Sequence, residues 1–178
     1  MRPPKARTWS RRGCTPVITV TGKGSGRVSI AGLLCLRAGH RTRLIYRMLL
    51  YRGRRGEKGF READHARLLD AAHQRLGGPI VLVWDNLTAH RDASMRRLIE
   101  SRSWPAVFYL PSYAPELNPA ENVWSHLKRS LGNLAPATLD QLAALIRTRL
   151  RRMQYRSSLL DAFIAHTGLT VTGAHHEP

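Results

Sequence analysis

The chain has 178 residues, 29 Lys plus Arg against 12 Asp plus Glu, and a formal net charge of +17. That length suits a single domain, 1–178, with a real core, and a hydrophobic content of 43% excludes wholesale disorder. No apolar run is long enough to cross a bilayer, no apolar stretch follows the basic N-terminus as a secretory leader requires, and Cys14 and Cys35 are too few for a disulfide scaffold or zinc cage.

Residues 1–15 read as irregular, with Pro3, Pro4 and scattered Arg. The β-branched run 16–21 (Pro-Val-Ile-Thr-Val-Thr) predicts a strand. Gly22-Lys23-Gly24-Ser25-Gly26 lacks the spacing of a phosphate-cradling loop and reads as a hairpin turn into a second strand, Arg27 to Leu36. Arg43 to Leu50 is either a third strand or a short helix, and Tyr51 to Gly59 a polar loop. Ala66, Leu69, Ala72 and Leu76 mark a helix over 60–76, ended by Gly77-Gly78-Pro79. Ile80 to Trp84 is a short continuous apolar run, which predicts a strand buried on both faces. A helix is expected over 91–102 and another buried strand over 106–110.

The next helix is well marked. Asn118 is a good N-cap, Pro119 suits N1, and Ala120, Val123, Trp124, Leu127 and Leu131 form its apolar stripe. Thr138 and Gln141 make a capping-box pattern for a helix running to about Met153, and a last short helix spans Ser157 to His166. Residues 170–178 are a tail. Strands first, then strand–helix alternation, predict a mixed α/β domain.

The charge is unevenly placed. Residues 1–56 hold 14 Lys or Arg and no acid, whereas 57–178 hold 15 basic and 12 acidic residues. Codon bias explains why Arg outnumbers Lys 25 to 4, but it does not remove acids from 56 consecutive residues. A basic third of this kind points to a polyanion, most naturally nucleic acid.

Two acids stand out. Asp85 follows the strand at Ile80–Trp84, at the end where open α/β sheets place their ligands; an Asx turn would account for it equally simply. Glu121 falls at N3 behind the Asn118 cap, where it either caps the helix or carries chemistry. Their surroundings are more specific. Asp85 opens Asp-Asn-Leu-Thr-Ala-His90, and Glu121 closes Leu110-Pro-Ser-Tyr-Ala-Pro-Glu-Leu-Asn-Pro-Ala-Glu121, followed by Asn-Val-Trp-Ser-His-Leu-Lys128.

These blocks resemble the catalytic core of DDE transposases of the insertion-sequence 630 family, in the mariner-like superfamily. The resemblance runs from about Arg2 to Leu169. It implies an RNase H-like fold, bacterial and cytoplasmic and associated with the nucleoid, that cuts and joins DNA at transposon terminal inverted repeats and inserts into target DNA. Asp85 and Glu121 match the second and third catalytic acids, ligands for a two-ion Mg²⁺ or Mn²⁺ site. Glu116 matches a motif residue that is not catalytic. Asn86, His90, Lys128, Arg147 and Arg151 are the candidate DNA contacts. For His90 a buried structural imidazole competes, for Lys128 a solvated side chain, and for Arg147 and Arg151 a solvated helix face. Trp124 reads as core. Dimeric assembly on paired ends is a further implication.

The sequence departs from that family in one respect. The pattern needs three acids, the first on the first, central strand of the sheet, yet the first acid here is Glu57. Asp64 and Asp70 lie within the helix at 60–76, where solvated charge is the ordinary reading. The expectation is therefore a domain that lacks its central strand and the preceding helix-turn-helix, either as a fragment or as the second product of a split reading frame whose upstream polypeptide would be a partner. Alone it would not cleave DNA. The competing readings are a non-catalytic, DNA-binding remnant and a stand-alone RNase H-like nuclease.

Overall fold

The computed structural model describes residues 26–53, 59–85, 92–132, 134, 136 and 138–169. The strand expected at 16–21, its turn at 22–25, Cys14, Asn86, His90 and the tail at 170–178 lie outside the described residues.

The first two elements are strands β1 (Arg27–Cys35) and β2 (Arg43–Tyr51), paired antiparallel with Arg27 opposite Tyr51 and Cys35 opposite Arg43. The choice left open for 43–50 thus resolves to a strand. Alternation decides how the pair is covered. Val28, Ile30, Leu34, Leu44, Tyr46 and Met48 face one side, while Ala31, Leu33, Cys35 and Ile45 face the other.

Helix α1 (Glu62–Leu76) packs on the second face through Leu68 and Ala72. Helices α3 (Pro119–Leu131), α4 (Leu139–Gln154) and α5 (Ser157–Ala165) cover the first. Leu127, Ile146, Leu150 and Leu160 are fully buried there. The Thr138–Gln141 capping box forms as expected, with Gln141 N–H donating to Thr138 Oγ1 at 3.2 Å and Thr138 N–H to Gln141 Oε1 at 3.3 Å.

A second strand pair, β3 (Ile80–Trp84) and β4 (Pro105–Tyr109), is parallel, with helix α2 (Ala93–Glu100) in the crossover. The expectation that these strands are buried on both faces is corrected. Leu82 and Trp84 are buried against Leu69 of α1 and Met95 of α2. On the opposite face Val81, Val83 and Phe108 are 69%, 50% and 60% exposed. The physical reason is that helices α1 and α2 cover only one side of this pair.

Within the described residues the four strands make two separate two-stranded sheets, β1–β2 and β3–β4. Helix α1 joins them: Leu33 of β1 and Ile80 of β3 each pack in both of the apolar clusters that α1 seals.

Two of the three acids of α1, Asp64 and Asp70, are engaged, which corrects their reading as solvated charge. Asp64 accepts from Arg61 N–H at 3.2 Å as part of a cap. Asp70 takes a bidentate pair from Arg102, at 2.6 and 2.8 Å, tying α1 to the end of α2. The Arg102 guanidinium holds the Asp70 carboxyl below its ordinary 3.8. A carboxyl lower in the folded than in the unfolded chain contributes stability that is full above the unfolded value and lost as pH falls through the folded one. Asp70 is 40% exposed, so Asp70→Asn should cost only about 0.5–1 kcal/mol near neutral pH. The cost should shrink below about pH 4, as paired urea titrations at the two pH values would read.

Candidate active site

Because β3 and β4 are parallel, their C-terminal ends lie at the same end of the sheet. Leu110 N–H donates to the Trp84 carbonyl at 2.7 Å, so the segment leaving β4 starts against the residue before Asp85. Trp84 is buried, with the His65 ring edge-on to it at 6.2 Å. Asp85 is half-buried at this fixed strand end. Its Oδ1 is buried and accepts no hydrogen bond, although the residue is otherwise engaged.

From Leu110 the chain passes Tyr113, whose backbone is left-handed (φ 61°) and whose ring is fully exposed. A non-glycine residue there is uncommon and concentrates at functional loops. The sequence motif contains Tyr113, but no pattern in it signalled this conformation. A short 3₁₀ turn, Pro115–Leu117, then delivers Asn118, whose Oδ1 accepts from Ala120 N–H at 3.0 Å. Glu116 is exposed on that turn.

Glu121 is the third residue of α3 and is half-buried. Its helix is held firmly. Val123, Leu127 and Leu131 are buried, Asn122 Nδ2 donates to the Phe163 carbonyl of α5 at 3.1 Å, and Trp124 lies over Gly32 of β1. A Cβ at Gly32 would stand 2.9 Å from the Trp124 ring, so this close approach requires glycine. Trp124 is thus packing, as expected. The capping role open to Glu121 is not taken: Asn118 alone caps, and among the described residues the Glu121 carboxylate has no hydrogen-bond or ion-pair partner.

The structure does not gather every candidate. Lys128 is exposed in the last turn of α3, seven residues and so about 10 Å along the helix from Glu121. Arg147 and Arg151 are exposed on α4. Among the described residues, no group of three or more His, Cys, Asp or Glu stands together as a metal cluster.

A family model for the DDE superfamily endonucleases matches residues 1–143, a span that contains both Asp85 and Glu121. The chain belongs to this family. Among solved structures, the Mos1 transposase catalytic domain with raltegravir and Mn is similar to this DDE endonuclease domain, with a TM-score of 0.50 and 13% identity over 81% of this chain and 84% of that one. The Mos1 paired-end complex with a left transposon end gives 0.49 and 11%, covering 93% of this chain and 51% of that one. A comparison with curated proteins finds no match. The first likeness establishes the fold of the DDE domain as RNase H-like mixed α/β. Among the described residues, none of its helices is long and apolar enough to cross a membrane.

Proposed function

We propose that the chain is the catalytic part of a bacterial DNA transposase of the insertion-sequence 630 family, cutting and joining strands at transposon ends. One observation carries the reading: Glu121 sits half-buried on an anchored helix, unused for capping, at the end of a segment that starts beside Asp85. A carboxylate without a structural partner among the described residues is available for a ligand.

Asp85 and Glu121 are hard oxygen donors, which fit Mg²⁺ or Mn²⁺ and would hold such an ion between them and DNA phosphate. When bound, the ion would supply Lewis-acid stabilisation of the charge that develops in phosphoryl displacement. The protein's own part is to hold the two carboxylates on a strand end and a packed helix, so that little reorganisation is needed. Asn86, His90, Lys128, Arg147 and Arg151 would position the DNA backbone, and dimeric assembly would pair the ends.

The third carboxylate comes, on this proposal, from polypeptide outside these 178 residues. The separation of β1–β2 from β3–β4 within the described residues supports this, because a strand joining the two sheets would carry that acid to the Asp85 end. The absence of a three-acid cluster among the described residues favours a second reading, a non-catalytic DNA-binding remnant. One assay separates the two. The chain is co-expressed with the polypeptide encoded upstream and given inverted-repeat DNA with Mg²⁺. Nicking is expected from the pair and not from the chain alone, and it should be lost in Asp85→Ala and Glu121→Ala. No nicking from the pair selects the remnant; full activity in either variant removes that acid from the site.

A further inference from the structure

The end of the domain remote from Asp85 carries its own concentration of cations. β1 and β2 are joined by a tight turn in which His40 N–H donates to the Arg37 carbonyl at 3.0 Å and Gly39 takes φ 72°. The Arg37 guanidinium donates to the Leu76 carbonyl at the C-terminus of α1, and buried Thr42 donates to Asp161 of α5. The turn is thus pinned to two helices. Arg37, His40, Arg41, Arg43 and Arg75 line a cleft of about 50 Å³ beside Leu76. That space admits phosphate oxygens and excludes a nucleobase.

Arg37 is accounted for by the helix end. Among the described residues Arg41, Arg43 and Arg75 have no carboxylate partner, and all three are exposed. Three guanidiniums lining one cleft repel one another, and an anion bound among them would relieve that. Arg43 and Arg75 also converge on the Cys35 thiol, where both work against the effect of burial, which pushes it up to about 11. Position separates this cleft from the acids. Ile80 packs against the apolar cluster that contains Cys35, so the cleft lies toward the start of β3, whereas Asp85 follows its end. Five strand residues put roughly 16 Å between them.

We propose that Arg41, Arg43 and Arg75, with His40 at the rim, form a phosphate-binding site for the DNA backbone at the end of the domain opposite Asp85. The site shares only the DNA partner with the function proposed above. Its failure would leave Asp85 and Glu121 untouched, and theirs would leave it standing. It would hold duplex beyond the reacting strand, adding affinity and register without sequence preference.

The test is salt-dependent binding of a fluorescent duplex by the full chain, in the parent and in a triple variant, Arg41→Gln, Arg43→Gln and Arg75→Gln. Each lost phosphate contact reduces the slope of log affinity against log salt by about 0.9. The triple variant should therefore lose about 2–3 of that slope and at least about tenfold in affinity near 0.1 M salt. A control triple elsewhere, Arg96→Gln, Arg97→Gln and Arg152→Gln, should keep the slope to within about one contact. An unchanged slope in the first triple, or an equal loss in the control, overturns the proposal. The unsubstituted chain gives an independent measurement that no folding defect can confuse. DNA should protect Arg41, Arg43 and Arg75 from phenylglyoxal more than Arg96 and Arg97; equal modification with and without DNA overturns it as well.

Discussion

Asp85→Ala and Glu121→Ala should each weaken Mn²⁺ binding to the DNA-bound chain by about 10–100-fold or more. Changes to groups that merely orient a metal ligand already cost ~10–100-fold, and removing a ligand costs no less. The two effects should not add, because a single carboxylate left behind is a poor site whichever one it is. Electron paramagnetic resonance of free Mn²⁺, titrated against chain plus duplex, reads the loss directly. Glu116→Ala is the informative comparison. That residue is exposed on the 3₁₀ turn five positions before Glu121, and its loss should leave binding within about twofold of the parent. A parental affinity in Glu121→Ala would mean that its carboxylate serves something else.

Leu127→Ala should produce the largest loss of stability. Leu127 is fully buried on α3, in the cluster where that helix meets β1–β2, α4 and α5. Removing a fully buried Leu side chain costs ~2–5 kcal/mol, and a site enclosed by three helices and a sheet collapses poorly, so about 3 kcal/mol or more is expected. Since typical domains hold only ~5–15 kcal/mol in total, urea melts should show a clear fall in midpoint with little change in slope. The same substitution should loosen α3 and so disturb Glu121, whereas Leu69→Ala, in the cluster under β3, should disturb the Asp85 end instead. A cost below about 1 kcal/mol for Leu127→Ala would contradict the packing described.

Much of this was legible in the sequence because local chemistry decided it. Asn118, Pro119 and the apolar stripe through Val123 and Leu127 specify α3 whatever surrounds it, and the Thr138–Gln141 box does the same for α4. The register of β1–β2 was less legible, because both strands carry consecutive apolar residues, such as Leu33-Leu34 and Leu44-Ile45, and residues 43–50 suit a strand or a short helix alike. The fates of Val81, Val83 and Phe108 were not legible. An apolar run signals burial on both faces, but which faces are covered depends on where α1 and α2 pack, and that is a tertiary property. Asp70 was equally hidden, since nothing at position 70 announces Arg102, 32 residues later. The site was half legible. The motif singled out Asp85 and Glu121, but whether Glu121 caps its helix could be decided only by its hydrogen bonds. The cleft at Arg41, Arg43 and Arg75 joins a turn to a distant helix end and leaves only diffuse basic charge in the sequence.

The proposed function requires that Asp85 and Glu121 bind one metal site. Iron-directed cleavage tests it most directly: Fe²⁺ in place of Mg²⁺, with ascorbate and peroxide, cuts the polypeptide backbone next to the bound ion. Two cuts are expected, one beside Asp85 and one beside Glu121, both suppressed by excess Mg²⁺ and both lost together in either alanine variant. Cutting at only one of the two, or at neither, would contradict it.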